Sequence, residues 1–250
     1  MSGAVAPDEI RTEELLIAII ARLLEGSRLV AAGASSPIPG GGCLLARRHS
    51  GDAMKVNILG SRKHNLMTNG GVELFDWAGQ GRLDAFFLGG GQIDGQANVN
   101  LVGTGEYPTG GIRWPGSFGS AYLYYLVPRV ILFREEHTRR VFVPKVDFIS
   151  TPGVSEQGVY RTGGPYAMIS PLCLMSFDKE KRRFQLTSVH PGHTVEEVRD
   201  NTGFDFDVPD HVPETVLPTQ AVLDEIRTHI SHEIAETYPR FAEKVFGIAA

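Results

Sequence analysis

Asp84-Ala85-Phe86-Phe87-Leu88 runs straight into Gly89-Gly90-Gly91, and the chain continues as Gln92-Ile93-Asp94-Gly95-Gln96-Ala97-Asn98-Val99-Asn100. An apolar run this short, bounded by turn residues, reads as a buried strand. The glycines at its end remove side-chain sterics, so the chain can bend at once and open a new strand at Val99-Asn100. Bare N–H groups at such a bend suit the oxygen of a thioester carbonyl or of a phosphate. A tight strand-to-strand turn without any ligand fits the same spacing.

The rest of the chain supplies elements of both kinds. Residues 1–11 are polar and read as loosely ordered. Thr12 is placed to cap a helix from Glu13 to about Glu25, with Gly26 at its left-handed end. Leu15, Ile19 and Leu23 share one face of that helix, flanked by Leu16, Ile20 and Leu24. Arg28–Ala32 reads as a strand, 33–42 as a glycine-rich loop, and Cys43–Arg48 as a short helix. Strands follow at Met54–Leu59, Ala85–Leu88 and Arg129–Phe133, with a helix at Ser120–Leu126 stopped by Pro128. Val141–Val143, Val146–Ile149, Ala167–Phe177 and Arg183–Ser188 are further strand candidates. Thr194-Val195-Glu196-Glu197 is a capping box opening a helix to about Asn201, closed by Gly203. Gln220–Ile230 and Glu233–Val245 read as terminal helices.

This order predicts an α/β fold: an open, mostly parallel sheet with flanking helices and a strand-rich second half, in a single domain over 1–250. In such sheets ligands bind beyond the carboxyl ends of the strands, where these glycine loops fall. The 29 glycines also favour many strand-to-loop transitions over long helices.

Charge and composition exclude several classes. A net charge of -5 argues against nucleic acid as a partner, because phosphate binding needs clustered Lys and Arg. Cys43 and Cys173 are far apart and read as reduced thiols rather than a disulfide framework. No apolar stretch follows a basic N-terminal region, so no signal peptide is read. Leu15–Leu24 is about half a membrane span and contains Arg22. The expectation is a cytoplasmic protein without a membrane partner.

Other motifs fail or stay open. No Gly-x-Gly-x-x-Gly stands between a strand and a helix, and no Gly-Lys-Ser/Thr is present for a phosphate loop. Ser117 has Pro115 where a hydrolase elbow needs glycine. His190 and His193 flank a Pro-Gly turn with no third ligand nearby, so no metal site is expected. His229 and His232 read as surface histidines. Arg134-Glu135-Glu136-His137-Thr138-Arg139-Arg140 reads as a solvated hairpin tip. Arg62, Lys63, His64 and Asn65 follow the Met54–Leu59 strand, where cations and an imidazole can hold a substrate carboxylate; a solvent-facing loop fits equally. Glu106, in Gly103-Thr104-Gly105-Glu106-Tyr107, is either a loop-orienting residue or a base.

The glycine signature, Lys145-Val146-Asp147-Phe148-Ile149-Ser150-Thr151-Pro152-Gly153, Asp200-Asn201-Thr202-Gly203-Phe204-Asp205-Phe206-Asp207-Val208 and Gly116-Ser117-Phe118-Gly119-Ser120 resemble motifs of class I coenzyme A transferase beta subunits. The signature is similar to that of the glutaconate type in particular, and the likeness extends roughly from residue 12 to residue 230. The transferases carry a nucleophilic glutamate at a strand end ahead of the glycine signature. In Lys55-Val56-Asn57-Ile58-Leu59-Gly60-Ser61-Arg62 no carboxylate occurs, and Leu59 takes that place. Leucine forms neither an acyl-anhydride nor a glutamyl thioester.

The chain therefore resembles more closely the beta subunits of CoA-transferase-like hydrolases that open steroid rings. That resemblance implies hydrolytic C–C cleavage of a cyclic β-keto acyl-CoA, with an alpha subunit as partner in an α2β2 assembly. It implies no cofactor beyond the CoA carried by the substrate. Gly90, Gly91 and Gly119 become oxyanion-hole candidates, with Glu106 as a possible acid or base. Gly89, Gln92, Asn98, Gly116, Ser117, Phe118, Arg62 and His64 become substrate-binding candidates. Two alternatives remain: a true transferase using another carboxylate such as Glu73, and a non-catalytic CoA-binding subunit.

Overall fold

The structure, a computed structural model, describes residues 6–106 and 108–248. Its helices are α1 (Thr12–Leu23), α2 (Pro37–His49), α3 (Gly71–Gly79), α4 (Ser120–Leu126), α5 (Val195–Asn201), α6 (Gln220–Glu225), α7 (Ser231–Ala235) and α8 (Pro239–Phe246). The strands are β1 (Leu29–Ala32), β2 (Lys55–Ile58), β3 (Ala85–Leu88), β4 (Gln92–Ile93), β5 (Val99–Asn100), β6 (Arg129–Phe133), β7 (Pro165–Ile169), β8 (Cys173–Asp178) and β9 (Arg183–Val189). The chain forms two compact units, one up to Phe87 together with the residues from Val216 onward, the other Leu88–Thr215.

In the first unit β1 pairs in parallel with β2 on one side and with β3 on the other. The helix α1 is apolar nearly all round, and Leu15 to Ala21 are buried without a break. That is a more complete burial than one apolar face requires, and α2 explains it. The segment 33–42, expected as a loop, is helical from Pro37 onward. Proline at the first helical position has no N–H to lose there. The following glycines sit against neighbouring helices: a Cβ on Gly42 would lie 2.2 Å from Ile20 Cγ2, and one on Gly40 3.0 Å from Ile234 Cδ1. Close helix packing outweighs the roughly 1 kcal/mol that each helical glycine costs.

Several other expectations are corrected in this unit. Residues 1–5 lie outside the described residues, but Pro7–Glu9 form a 3-10 turn, and Glu9 O accepts from Arg227 Nη2 at 2.8 Å. Arg11, not Thr12, stands at the α1 N-cap; Glu14 reaches back to accept from Arg11 N–H at 3.0 Å. Gly26 does take the left-handed conformation, with φ +76°. Helix α3 carries Leu74 and Ala78 inward and was not foreseen. The terminal helix is continuous from α6 to α7 through a π turn at Ile226–Ile230, which brings Arg227 onto Glu14.

In the second unit β6 pairs in parallel with β7, and β8 and β9 continue antiparallel. The run 167–177 is two strands, because Ser170-Pro171-Leu172 turns the chain and Pro171 has no N–H to give a ladder. Val141–Val143 is no regular strand. It clasps a single residue, with Ile93 N–H donating to Val141 O at 2.7 Å and Val143 N–H to Ile93 O at 2.9 Å. Val146–Ile149 is likewise irregular, with Phe148 and Ile149 exposed. Thr194 caps α5 as its sequence requires, accepting from Glu197 N–H at 3.1 Å. Gly203 follows from close approach: a Cβ there would lie 2.4 Å from Phe142 O.

The charged stretch 134–140 is not a solvated tip throughout. His137 is buried, with Nδ1 2.6 Å from Ser170 Oγ and Nε2 2.9 Å from Thr202 Oγ1. The Thr202 hydroxyl donates its own proton to Val198 O at 2.7 Å, so it accepts from Nε2, and Ser170 donates to Nδ1. Burial lowers the His137 pKa to about 4, so the ring is neutral.

Candidate functional site

The glycine signature folds into a hairpin held from inside by its own polar residues. Strands β4 and β5 pair antiparallel, with Gln92 opposite Asn100. The carboxylate of Asp94 staples the tip, accepting from the N–H groups of Gln96 and Asn98 at 3.1 Å and from Asn98 Nδ2 at 3.1 Å. Asn98 Oδ1 accepts from Gly153 N–H at 3.1 Å. Gln92 Oε1 accepts from Asn100 Nδ2 at 2.8 Å and from Asp147 N–H at 2.9 Å. Gln92 and Asn98 are both buried, and these bonds give them an architectural part that the sequence reading did not assign. Asp147 in turn accepts from Gly105 N–H at 2.9 Å, which ties the loop after β5 to the same frame.

The glycines themselves answer to space rather than to backbone angle, since none of Gly89, Gly90 and Gly91 is among the residues with positive φ. A Cβ on Gly89 would lie 2.9 Å from Phe133 O, and one on Gly90 2.4 Å from Val99 Cγ1. On Gly91 it would fall 2.0 Å from the Trp114 ring. Gly91 N–H donates to Asn100 O at 2.9 Å. In this conformation that amide belongs to the hairpin, which removes Gly91 from the oxyanion donors and leaves Gly90 and Gly119 as candidates.

Trp114 also joins the two glycine loops. Its backbone N–H donates to Val102 O at 3.0 Å, its ring lies on Gly91, and Gly116 follows it by two residues. In the second loop Gly116 has φ +105° and is exposed. Phe118 has φ +49°, an uncommon conformation for a bulky residue, and its side chain is 72% exposed. Ser117 O accepts from Ser120 N–H at 2.8 Å, and Gly119 O accepts from Leu123 N–H at 3.0 Å, so this loop starts α4. Glu106 is exposed, and it is its carbonyl, accepting from Gly110 N–H at 2.5 Å, that closes its turn.

In the first unit, Leu59 sits directly beyond β2, half-buried, with its N–H donating to Ala32 O at 3.0 Å. It therefore occupies the carboxyl end of a parallel strand. Of the charged residues that follow it, Arg62 and His64 take different surroundings. Arg62 is exposed, and its N–H donates to Glu236 Oε1 at 2.8 Å. Ser61 Oγ donates to the same carboxylate at 2.6 Å. Partial burial alone would raise Glu236, but hydrogen bonds from Ser61, Thr237, Arg62 and Lys63 lower its pKa to about 2.

His64 is turned inward and buried. Arg47 Nη1 donates to its Nδ1 at 3.1 Å, leaving the ring proton on Nε2, 3.6 Å from Glu233 Oε2. Burial, then the Arg47 charge, lowers the His64 pKa. Its place is in the ion-pair network of α2 and the terminal helix, where Arg47 binds Glu233 at 2.7 Å and Arg48 binds Glu225 at 2.7 Å. Glu73 is engaged as well. It reaches back from the first turn of α3 to the segment before it, accepting from the N–H groups of Asn69 (2.7 Å) and Thr68, and these bonds hold its carboxyl below the usual range.

One residue of this region escaped sequence reading. The side chain of Arg134, directly beyond β6, passes the glycine turn, with Cδ 3.8 Å from where a Gly89 Cβ would be. No motif marks it, because the contact is set by strand placement and not by local sequence.

His190 is buried and bonded to Thr215 Oγ1 at 2.8 Å and Ser170 O at 2.9 Å, while His193 faces Glu197 at 2.8 Å. Among the described residues no group of three His, Cys, Asp or Glu side chains is placed to hold a metal ion. Both cysteines are free and buried, and burial pushes both thiols up, Cys173 to about 12. Among the described residues no helix is long and apolar enough to cross a membrane.

A sequence model of the coenzyme A transferase family matches residues 10–201, and the chain belongs to that family. It is 34% identical over 157 residues to one of the subunits of 3-oxoadipate CoA-transferase from Pseudomonas knackmussii, covering 60% of each chain. It is 32% identical over 143 residues to the cholesterol ring-cleaving hydrolase IpdB subunit of Rhodococcus jostii, covering 53% of each. Each match thus spans less than two thirds of the relative's length. The fold is that of glutaconate coenzyme A-transferase from Acidaminococcus fermentans (TM-score 0.77, 23% identity, 89% of this chain and 95% of that one). It is equally that of Rhodococcus jostii IpdAB (TM-score 0.76, 24% identity, 88% and 94%). One fold carries both chemistries, so the choice between them falls to the site.

Proposed function

We propose that this chain is the beta subunit of a hydrolase that opens a ring of a cyclic β-keto acyl-CoA by C–C cleavage, working with an alpha partner. The observation that carries the reading is Leu59, an apolar side chain at the strand end where the transferase pattern has its nucleophilic glutamate. The first rival would replace it with Glu73, but that carboxylate is engaged by the N–H groups of Thr68 and Asn69 ahead of α3. With no carboxylate at that strand end, water is the attacking group and its base comes from the alpha partner. Water adds to the ring ketone and the C–C bond breaks. Its electron pair moves onto the carbon next to the thioester as an enolate, which is then protonated. A carboxylate is released at the new chain end, and the CoA thioester stays intact.

The negative charge developing on the thioester oxygen needs a donor, and Gly90 and Gly119 are the backbone positions assigned to it. One such donor is commonly worth about 3 kcal/mol of barrier. Similarity to the IpdB subunit supports steroid-derived rings as the substrate class. The test is mass spectrometry of a cyclic β-keto acyl-CoA incubated with the chain and its co-expressed alpha subunit. The expected product is one water heavier with CoA retained, and borohydride traps no CoA-derived adduct on this chain. A glutamyl-CoA adduct, or acyl exchange with a free acid, overturns the reading in favour of a transferase. An alpha subunit fully active without this chain would make it a non-catalytic companion.

A further inference from the structure

The Arg134 side chain is half-buried, yet its Nε is buried without a hydrogen-bond partner among the described residues. Of the two acidic neighbours whose charges act on it, Glu136 is hydrogen-bonded elsewhere, to Arg140 at 2.7 Å and Thr138 Oγ1 at 2.7 Å, and Glu135 is exposed. The backbone of Arg134 is firmly fixed, its N–H donating to Ile169 O at 3.1 Å. Buried guanidinium nitrogens are normally paired, because an unmet donor costs its desolvation without return. A buried Nε left without a hydrogen-bond partner at the carboxyl end of a strand is placed to be met by a ligand group.

Position decides which ligand. The side chain passes Gly89, with Cδ 3.8 Å from the ideal Cβ position, while the Trp114 indole covers Gly91 two residues on. We infer that Arg134 binds an oxyanion, a carboxylate or a phosphate, of the molecule held at the Gly89–Gly91 turn. This rests on the reading above that the turn meets an acyl-CoA. A bidentate Arg–carboxylate pair would fix the far end of the acyl group relative to its thioester. A phosphate of the CoA moiety is the other source of the same chemistry.

The chain has two tryptophans, Trp77 and Trp114, so 5-fluorotryptophan labelling followed by assembly with unlabelled alpha subunit gives two fluorine resonances. Trp77→Phe assigns them, and the Trp114 signal then reports occupancy of the turn. The probes are glutaryl-CoA, valeryl-CoA, CoA and 3′-dephospho-CoA, with affinity measured in parallel by calorimetry. For Arg134→Gln we expect glutaryl-CoA to weaken about tenfold or more while valeryl-CoA is unchanged, with Arg134→Lys intermediate. Equal weakening of both thioesters and of CoA, absent for 3′-dephospho-CoA, supports the inference with the 3′-phosphate as the anion. A folded Arg134→Gln complex that binds every probe as wild type, with the same Trp114 shift, overturns it. If no probe binds even the wild-type complex, the acyl-CoA reading itself fails, and the inference with it.

Discussion

The indole of Trp114 stands where a side chain on Gly91 would have to go: three of its ring atoms lie 2.0 to 2.3 Å from the ideal Cβ position. Gly91→Ala therefore forces the ring away, an overpacking cost of about 2 kcal/mol. In a Trp114→Ala background the same substitution should be nearly neutral. A double-mutant cycle by urea denaturation measures that coupling. Additive effects would mean that the ring and the glycine are not in contact in solution.

Gly42 sets two opposing quantities against each other. Alanine improves helix propensity by about 1 kcal/mol. Its Cβ would also lie 2.2 and 2.6 Å from two atoms of Ile20, which cannot retreat because Ile20 is fully buried. We expect a net loss of about 2 kcal/mol for Gly42→Ala, read as a lowered Tm, with partial recovery on adding Ile20→Ala. A raised Tm for the single variant would contradict the close packing of α1 on α2.

Glu14 has a fully buried side chain and receives two hydrogen bonds from Arg227, at 2.7 and 2.9 Å. Burial alone would raise its pKa, but the bonds from Arg227 and Arg11 outweigh it and leave the carboxyl below its ordinary value. The sign follows: the stabilisation is present above the unfolded carboxylate pKa and is lost as pH falls through the lower folded value. Removing Arg227 leaves the buried carboxylate with Arg11 alone, so Arg227→Ala should cost about 2 kcal/mol at neutral pH. The cost should shrink under acid conditions, which denaturant titrations of both proteins across pH will show.

His137 gives a second pH dependence at a higher range. Its folded pKa is lowered to about 4 from 6.5, so between these values the unfolded chain takes up a proton that the folded one refuses. Stability is full above pH 6.5 and falls as pH drops toward 4, by up to about 3 kcal/mol for this residue alone. His137→Asn should lower stability at neutral pH, because the Ser170 and Thr202 hydroxyls lose a partner, and flatten the profile between pH 6.5 and 4. An unchanged profile would show that His137 is accessible to protons in the folded protein.

Much of the scaffold was legible before any coordinates. The Ala85–Leu88 strand, the Arg129–Phe133 strand, the left-handed Gly26 and the Thr194 cap are local events, written in apolar runs, a stop residue and a capping pair. The glycine signature announced its turn in the same way. Where local preference met a tertiary demand, the sequence misled. Gly40-Gly41-Gly42 looked like a loop because glycine weakens helices, yet α1 and the terminal helix approach closely enough to require it. The stretch 134–140 looked solvated because it is charged, yet His137 is an interior residue.

The candidate site divides along the same line. Leu59 and the glycines of both loops are fixed by the chain's own order of residues, as is the missing carboxylate beside Leu59. Which amide belongs to the hairpin, which imidazole faces Arg47, and which guanidinium lies beside Gly89 depend on partners distant in sequence. A side chain's role follows from what surrounds it, and burial and hydrogen-bond partners exist only once the strands and helices have packed. The sequence by itself determined the family and the turn; the packing decided that His64 is interior, that Gly91 is covered by Trp114, and that the buried Nε of Arg134 is left without a hydrogen-bond partner.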